Sequence, residues 1–290
     1  MKRILITGQN SYIGTSFQQW LEQFNGGYSV DTIDTRGLAW KSISFAGYDA
    51  IFHVAGIAHV DNVKKAGIKK ELYYDVNCDL TIELARKAKS EGVKQFLFMS
   101  SIIVYGESSE VNGIKVITEN TTPQPSNFYG DSKLLAEDGI RSLQSEDFHV
   151  VILRPPMIYG KGSKGNYSKL SNLAKKIFLF PNIHNERSML YIDHLCEFVR
   201  HMIDNKEAGV FYPQNEEYVC TSDLVKTIAE VNGKKLKLLK ILNPFIIMVP
   251  HNISKKVFGS LVYEKKMSEY KLKYAIYDFH ESVKQTERKP

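Results

Sequence analysis

The feature that most constrains the fold stands at the start of the chain. Lys2-Arg3-Ile4-Leu5-Ile6-Thr7 is a short apolar run, Gly8 and Gly14 follow it, and an amphipathic pattern begins at once. That order reads as a strand, a glycine turn and a helix. Glycine at 8 permits the tight turn, and glycine at 14 lets the helix pack closely on the strand. The first N–H groups of such a helix, together with its dipole, face an anion of the pyrophosphate kind.

The alternation continues. The spacing predicts a helix over Thr15–Phe24 stopped by Gly26-Gly27, then strands at Ser29–Ile33 and Ala50–Val54. A helix is expected near Leu72–Ser90, a strand at Gln95–Ser100, a helix near Tyr129–Gln144 and a strand at His149–Arg154. Runs such as Ile51-Phe52-His53-Val54 and Phe96-Leu97-Phe98-Met99 are apolar on both faces, as parallel strands covered from both sides must be. The fold class expected is therefore α/β, a doubly wound parallel sheet of Rossmann type with a smaller, discontinuous C-terminal lobe. The expected division is residues 1–160, with a return segment at about 187–205, against 161–186 and 206–290. Helices are also expected at Leu190–Ile203 and from Thr221-Ser222-Asp223, whose residues suit a cap.

With 290 residues, 43% hydrophobic and 24% charged, the chain can bury a real core. Three scattered cysteines, Cys78, Cys196 and Cys220, argue against a disulfide framework, and no Cys/His cluster suggests a metal. Met1-Lys2-Arg3 runs straight into the first strand, so no secretory signal is expected and the location expected is cytoplasmic. The best apolar stretch, Ile241 to Val249, is too short to span a membrane and holds Asn243 and Pro244. The net charge is +6, and between Lys234 and Lys273 ten lysines stand against Glu264 and Glu269. Such a stretch suits an anionic membrane surface, a phosphorylated substrate or a simply solvated helical face. No nucleic-acid motif is present.

Several ordered segments carry a resemblance. Thr7-Gly8-Gln9-Asn10-Ser11-Tyr12-Ile13-Gly14, Phe52-His53-Val54-Ala55-Gly56-Ile57-Ala58, Val76-Asn77, Ser100-Ser101-Ile102-Ile103-Val104-Tyr105-Gly106 and Tyr129-x-x-x-Lys133 occur in that order. With Arg154-Pro155-Pro156-Met157-Ile158-Tyr159-Gly160 and Arg187-Ser188-Met189-Leu190-Tyr191-Ile192-Asp193, they resemble the extended short-chain dehydrogenase/reductases, the NAD-dependent epimerase/dehydratase family. Ser11 departs from the family's middle glycine. The resemblance implies an NAD or NADP cofactor held by Gly8, Asn10, Ser11, Tyr12, Ile13, Gly14, Ala55, Gly56, Ala58, Pro155, Tyr129 and Lys133. Asp34, twenty residues past Gly14, suits the adenosine ribose of NAD, whereas Arg36 with Lys41 suits the extra phosphate of NADP. The two signals conflict.

By itself a Tyr-x-x-x-Lys pair means little in a chain with 16 tyrosines. Its chemistry explains its use. A free phenol titrates near pH ~10, and an adjacent ammonium and an oxidised nicotinamide both stabilise the phenolate. The resemblance makes Ser101, Tyr129 and Lys133 catalytic, with Ser101 bonded to the substrate oxygen and Lys133 on the nicotinamide ribose. Substrate contacts are expected from Ser101, Tyr129, Asn166 and Arg187, the last on a pyrophosphate. Asn77 matches the asparagine that ties a helix to the sheet, and Ser100 reads as a structural serine. Ile102 and Ile103 stand where the family's dehydratases carry Asp-Glu, which excludes dehydration. Two reactions remain on this reading. One is reduction of a UDP-linked 4-keto-6-deoxy-N-acetylhexosamine, as in bacterial capsule and O-antigen enzymes, and the other is 4-epimerisation of a UDP-hexose. A homodimer is expected, and a non-catalytic NAD(P)-binding role is the minor alternative.

Overall fold

The computed structural model describes residues 1–57 and 70–288, apart from the side chain of Ile247. Ala58 lies outside the described residues. The chain divides into two compact units, residues 1–106, 122–155 and 196–212 forming the first and residues 107–121, 156–195 and 213–290 the second. The segment that returns to the first unit thus starts at Cys196 and runs to Tyr212.

The first unit is built on strands β1 (Lys2–Thr7), β2 (Tyr28–Ile33), β3 (Ala50–His53), β4 (Gln95–Met99), β6 (His149–Leu153) and β10 (Gly209–Phe211). They lie in the order β10-β6-β4-β3-β1-β2, and every pair is parallel. The sheet grows in both directions from β1 and β3, so their carboxyl ends diverge and leave a crevice at the switch point. Alternate residues point to opposite faces. Leu5, Ile51, Phe96, Phe98, Val150 and Ile152 face one way, into a core with α3 (Leu80–Ser90) and α4 (Phe128–Arg141). Phe52 faces the other way and meets Phe17 of α1 (Tyr12–Glu22) edge-on at 5.2 Å. The sheet is therefore covered on both sides, which is why its strands are apolar throughout.

Three expected boundaries shift for identifiable reasons. Helix α1 begins at Tyr12, ahead of Thr15, because the Ser11 side chain accepts from Gly14 N at 3.1 Å and caps it. The expected helix near Leu72–Ser90 is interrupted. It runs as α2 (Glu71–Tyr74), a π turn (Asp75–Asp79) and α3, and the π turn carries Asn77. Leu190 and Tyr191, expected to be helical, lie instead in strand β9 (Met189–Tyr191), and the helix α6 follows as Ile192–Asp204.

The second unit holds short parallel pairs: β5 (Val116–Ile117) with β12 (Val262–Tyr263), β7 (Met157–Tyr159) with β9, and β8 (Leu179–Pro181) with β11 (Lys237–Leu239). Its helices are α5 (Asn166–Ala174), α7 (Thr221–Val231), α8 (His251–Phe258) and α9 (Phe279–Glu287). Helix α7 does not use the expected hydroxyl cap. Its N-cap is Cys220, while the Thr221 and Ser222 hydroxyls donate to the carbonyls of Val257 and Pro181.

Candidate active site

The glycine turn at the end of β1 is shaped as the sequence requires. Gly8 sits at φ +100°, and a Cβ there would lie 2.9 Å from the backbone nitrogen of Ala55. A Cβ on Gly14 would lie 2.7 Å from the Ser11 hydroxyl and 2.9 Å from Ile6. Asn10 adopts φ 62°, a conformation asparagine tolerates better than most residues. The open N-terminus of α1 has no acidic residue in its first turn. The two close approaches leave room at positions 8 and 14 for hydrogen only, which packs the turn against the loop after β3 and α1 against β1.

At the end of β2 the two conflicting residues hold each other. Arg36 grips Asp34 through its backbone N–H at 2.9 Å and its guanidinium at 2.6–3.0 Å. The guanidinium hydrogen bonds hold the Asp34 carboxyl down to about 2. Lys41 is paired with Glu83 on α3.

Ser101, Tyr129 and Lys133 come together in the first unit. Ser101 has extended backbone and caps a short turn, its Oγ accepting from Ile103 N at 3.3 Å. Helix α4 starts at an Asn127 cap, which accepts from Gly130 N at 2.9 Å. Gly130 is required there, since a Cβ would fall 2.8 Å from the carbonyl oxygen of Ile103. This packing brings the Tyr129 phenol close to the Ser101 side chain. Burial pushes the phenol up to about 12, and the nearby Ser101 hydroxyl opposes it. Burial outweighs the other influences on this phenol.

Lys133, one turn further, is buried, and its Nζ donates to the carbonyl of Met99 at 2.9 Å. It lies over the Phe98 ring at 4.6 Å and would be 3.2 Å from a Cβ on Gly56. Burial lowers it to about 8, partly offset by Glu137. Asn77 accepts from Ile57 N at 2.8 Å and donates to Ile57 O and to Ser132 on α4, both at 3.1 Å. The π turn thus ties α4 to the loop after β3 through one side chain, a use such turns often have at functional sites.

Two supporting residues, Glu137 and His53, escape a reading of motifs. Glu137, fully buried, accepts from Ser100 and takes a forked bond from Arg154 at 2.5–3.1 Å. Its spacing of four from Lys133 on α4 was the available signal. His53 joins Thr7 at 2.5 Å and Thr81 at 2.9 Å, and burial pushes it down to about 3, so it is neutral. Pro155 is buried and its carbonyl accepts from Ile102 N at 2.9 Å. Asn166 and Arg187 belong to the second unit. Asn166 opens α5, and the Arg187 guanidinium donates to the carbonyls of Lys256 and Gly259, both at 2.9 Å. No carboxylate pairs with it among the described residues, and burial lowers it to about 10.

A parallel sheet wound in both directions, a glycine turn leading into a helix N-terminus, and Ser101, Tyr129 and Lys133 in the same unit define an extended short-chain dehydrogenase/reductase. Residues 4–219 match the model of the NAD dependent epimerase/dehydratase family, and the chain belongs to that family of NAD(P)-dependent enzymes. It is 30% identical to a UDP-glucose 4-epimerase of Vibrio cholerae over 79% of this chain and 75% of that one. It is 29% identical to N-acetyl-alpha-D-glucosaminyl-diphospho-ditrans,octacis-undecaprenol 4-epimerase of Escherichia coli O157:H7 over 69% of this chain and 60% of that one. A dTDP-4-dehydrorhamnose reductase from Clostridium acetobutylicum shares the fold, with a TM-score of 0.76 and 21% identity over 98% of both chains.

Proposed function

We propose that this chain is an NAD(P)H-dependent reductase of a UDP-linked 4-keto-6-deoxy-N-acetylhexosamine in capsule or O-antigen sugar biosynthesis. The observation that carries the reading is Tyr129, set close to Ser101 and pushed up by burial, so that its phenol is neutral. A phenol kept neutral is an acid ready to give its proton to a ketone oxygen. When bound, the cofactor supplies the hydride. Ser101 donates a hydrogen bond to the oxygen at C4, and Tyr129 protonates that oxygen as it becomes a hydroxyl. Lys133, anchored on Met99, holds the nicotinamide ribose. The residues of the glycine turn, Gly8, Asn10, Ser11, Tyr12, Ile13 and Gly14, take the pyrophosphate, and Asp34 with Arg36 takes the adenosine ribose. Ala55, Gly56, Ala58 and Pro155 border the cofactor. Arg187, a cation bonded only to carbonyls, takes the diphosphate of the sugar nucleotide, and Asn166 its sugar. Ile102 and Ile103 have no proton to move, so the chemistry stops at C4. The same reading takes the enzyme to be a cytoplasmic homodimer.

A second reading, 4-epimerisation of a UDP-hexose, is favoured by the Vibrio cholerae relative. In that case Tyr129 takes the proton of the C4 hydroxyl first and returns it after the ketone has turned over. One experiment separates them. The chain is incubated with UDP-N-acetyl-4-keto-6-deoxyhexose and NADPH or NADH, and the absorbance of the reduced cofactor is followed. Stoichiometric loss, abolished in Tyr129→Phe, is expected. Interconversion of UDP-sugars with no loss of reduced cofactor would replace the first reading with the second. Full activity of Tyr129→Phe would sink both.

A further inference from the structure

The most apolar stretch of the second unit is not in its core. From Lys237 to Ile253 no described side chain is buried, although the stretch contains Ile241, Leu242, Phe245, Ile246, Met248 and Val249. Ile241 is 76% exposed, Phe245 59% and Met248 80%. Leu242, Ile246 and Val249 are half-buried. Scattered exposed apolar residues are ordinary, but three large ones within eight positions of one surface segment are not. Nor is the segment a frayed end. Strand β11 is hydrogen-bonded to β8, and Lys237 N donates to Phe178 O at 2.9 Å. The Asn243 side chain accepts from Asn182 N at 3.0 Å and donates to Asn182 O at 2.8 Å. The fold thus holds residues 240–248 as a short 3₁₀ segment laid on the surface. Phe178 and Leu179, 65% and 50% exposed, continue the same surface across the β8–β11 register.

The charge around this segment has one sign. Between Val231 and Tyr263 there are six lysines, Lys234, Lys235, Lys237, Lys240, Lys255 and Lys256, and no acid. Glu107 and Glu110 approach only the far end, at Lys255 and His251. Lys234, Lys235, Lys237 and Lys240 stand directly before the apolar segment. An apolar ridge bordered by lysines is the composition of a surface that rests in the headgroup layer of an anionic bilayer. No helix among the described residues is long and apolar enough to cross a membrane. A second copy of the chain is a poor occupant, since a twofold contact would set the same lysines against one another.

We propose that residues 237–253, together with Phe178 and Leu179, dock the protein onto an anionic lipid surface. Ile241, Phe245 and Met248 enter the interface, and Lys235, Lys237 and Lys240 contact the headgroups. The proposal is independent of which reaction the first unit performs.

The test is co-sedimentation of the full chain with large vesicles of phosphatidylcholine alone or with about one third phosphatidylglycerol, at low and high salt. Binding at least tenfold stronger to the anionic vesicles, and weakened by salt, is expected. Lys235→Gln/Lys237→Gln/Lys240→Gln should lower the affinity by about a hundredfold, from the usual contribution of a lysine at such a surface. Phe245→Ser/Met248→Ser should lower it at least tenfold, with the unfolding midpoint unchanged because the side chains contact little. Equal binding to both vesicle types, or none, overturns the proposal. So does a dimer in light scattering that Phe245→Ser/Met248→Ser converts to a monomer, which would make this face a contact between copies.

Discussion

Removing Glu137 tests whether helix α4 is held by a buried charge pair. Glu137 is fully buried and Arg154 is 5% exposed, so each charge depends on the other. Losing one partner of such a pair typically costs about 3–5 kcal/mol, because the survivor is left unpaired in a poor solvent. The two sides are not equivalent. Without Arg154, Glu137 keeps the Ser100 hydroxyl and has Arg141 at 3.7 Å. Without Glu137, Arg154 retains the Tyr105 hydroxyl at 2.6 Å and the aromatic faces of Tyr105 and Tyr212, which are neutral groups. Glu137→Leu should therefore cost about 4–5 kcal/mol and Arg154→Met about 3 kcal/mol. The double variant should cost less than either, since an apolar pair strands no charge. Both tryptophans, Trp20 and Trp40, belong to the first unit, so urea unfolding followed by their fluorescence reports on that unit. A coupling energy below about 1 kcal/mol would refute the reasoning, because independent residues add.

Three further outcomes follow from the same geometry. In Gly56→Ala the new Cβ meets Asn77 Oδ1 at 3.0 Å and Lys133 Nζ at 3.2 Å, so kcat/KM should fall about tenfold with little loss of stability; a change under twofold in steady-state assays would contradict this. Arg36→Ala frees the Asp34 carboxylate and should raise the affinity for NAD relative to NADP, whereas Asp34→Ala should do the reverse, both read by calorimetric titration. Lys133 is lowered to about 8 from 10.5, so between those values the unfolded chain binds the extra proton and stability rises with pH. The strain is fully present below pH 8 and amounts to about 3 kcal/mol. Lys133→Met should abolish that rise in urea midpoints measured from pH 8 to 10.5, and an unchanged rise would assign it to other groups.

What the sequence determined by itself was the sheet and the order of its motifs. Gly8, Gly14, the doubly apolar strands and the Tyr129–Lys133 spacing are local signals, since turns, pleats and helical faces are set within a few residues. Ser11 also carried a local signal, because a serine ahead of a helix caps it. The tertiary structure decided what requires partners far apart in the chain. It brought Glu137 to Arg154 and His53 between Thr7 and Thr81, and it interrupted one helix so that Asn77 reaches Ile57 and Ser132. It decided the protonation of Tyr129, because desolvation depends on everything packed around a group and not on the lysine four residues away. It also separated two apolar stretches that look alike as letters. Phe96–Met99 is buried in the sheet, whereas residues 241–249 lie on the surface. Composition ranks both as core, and only the packing of neighbours on each side distinguishes a strand that is covered from a segment that is left exposed.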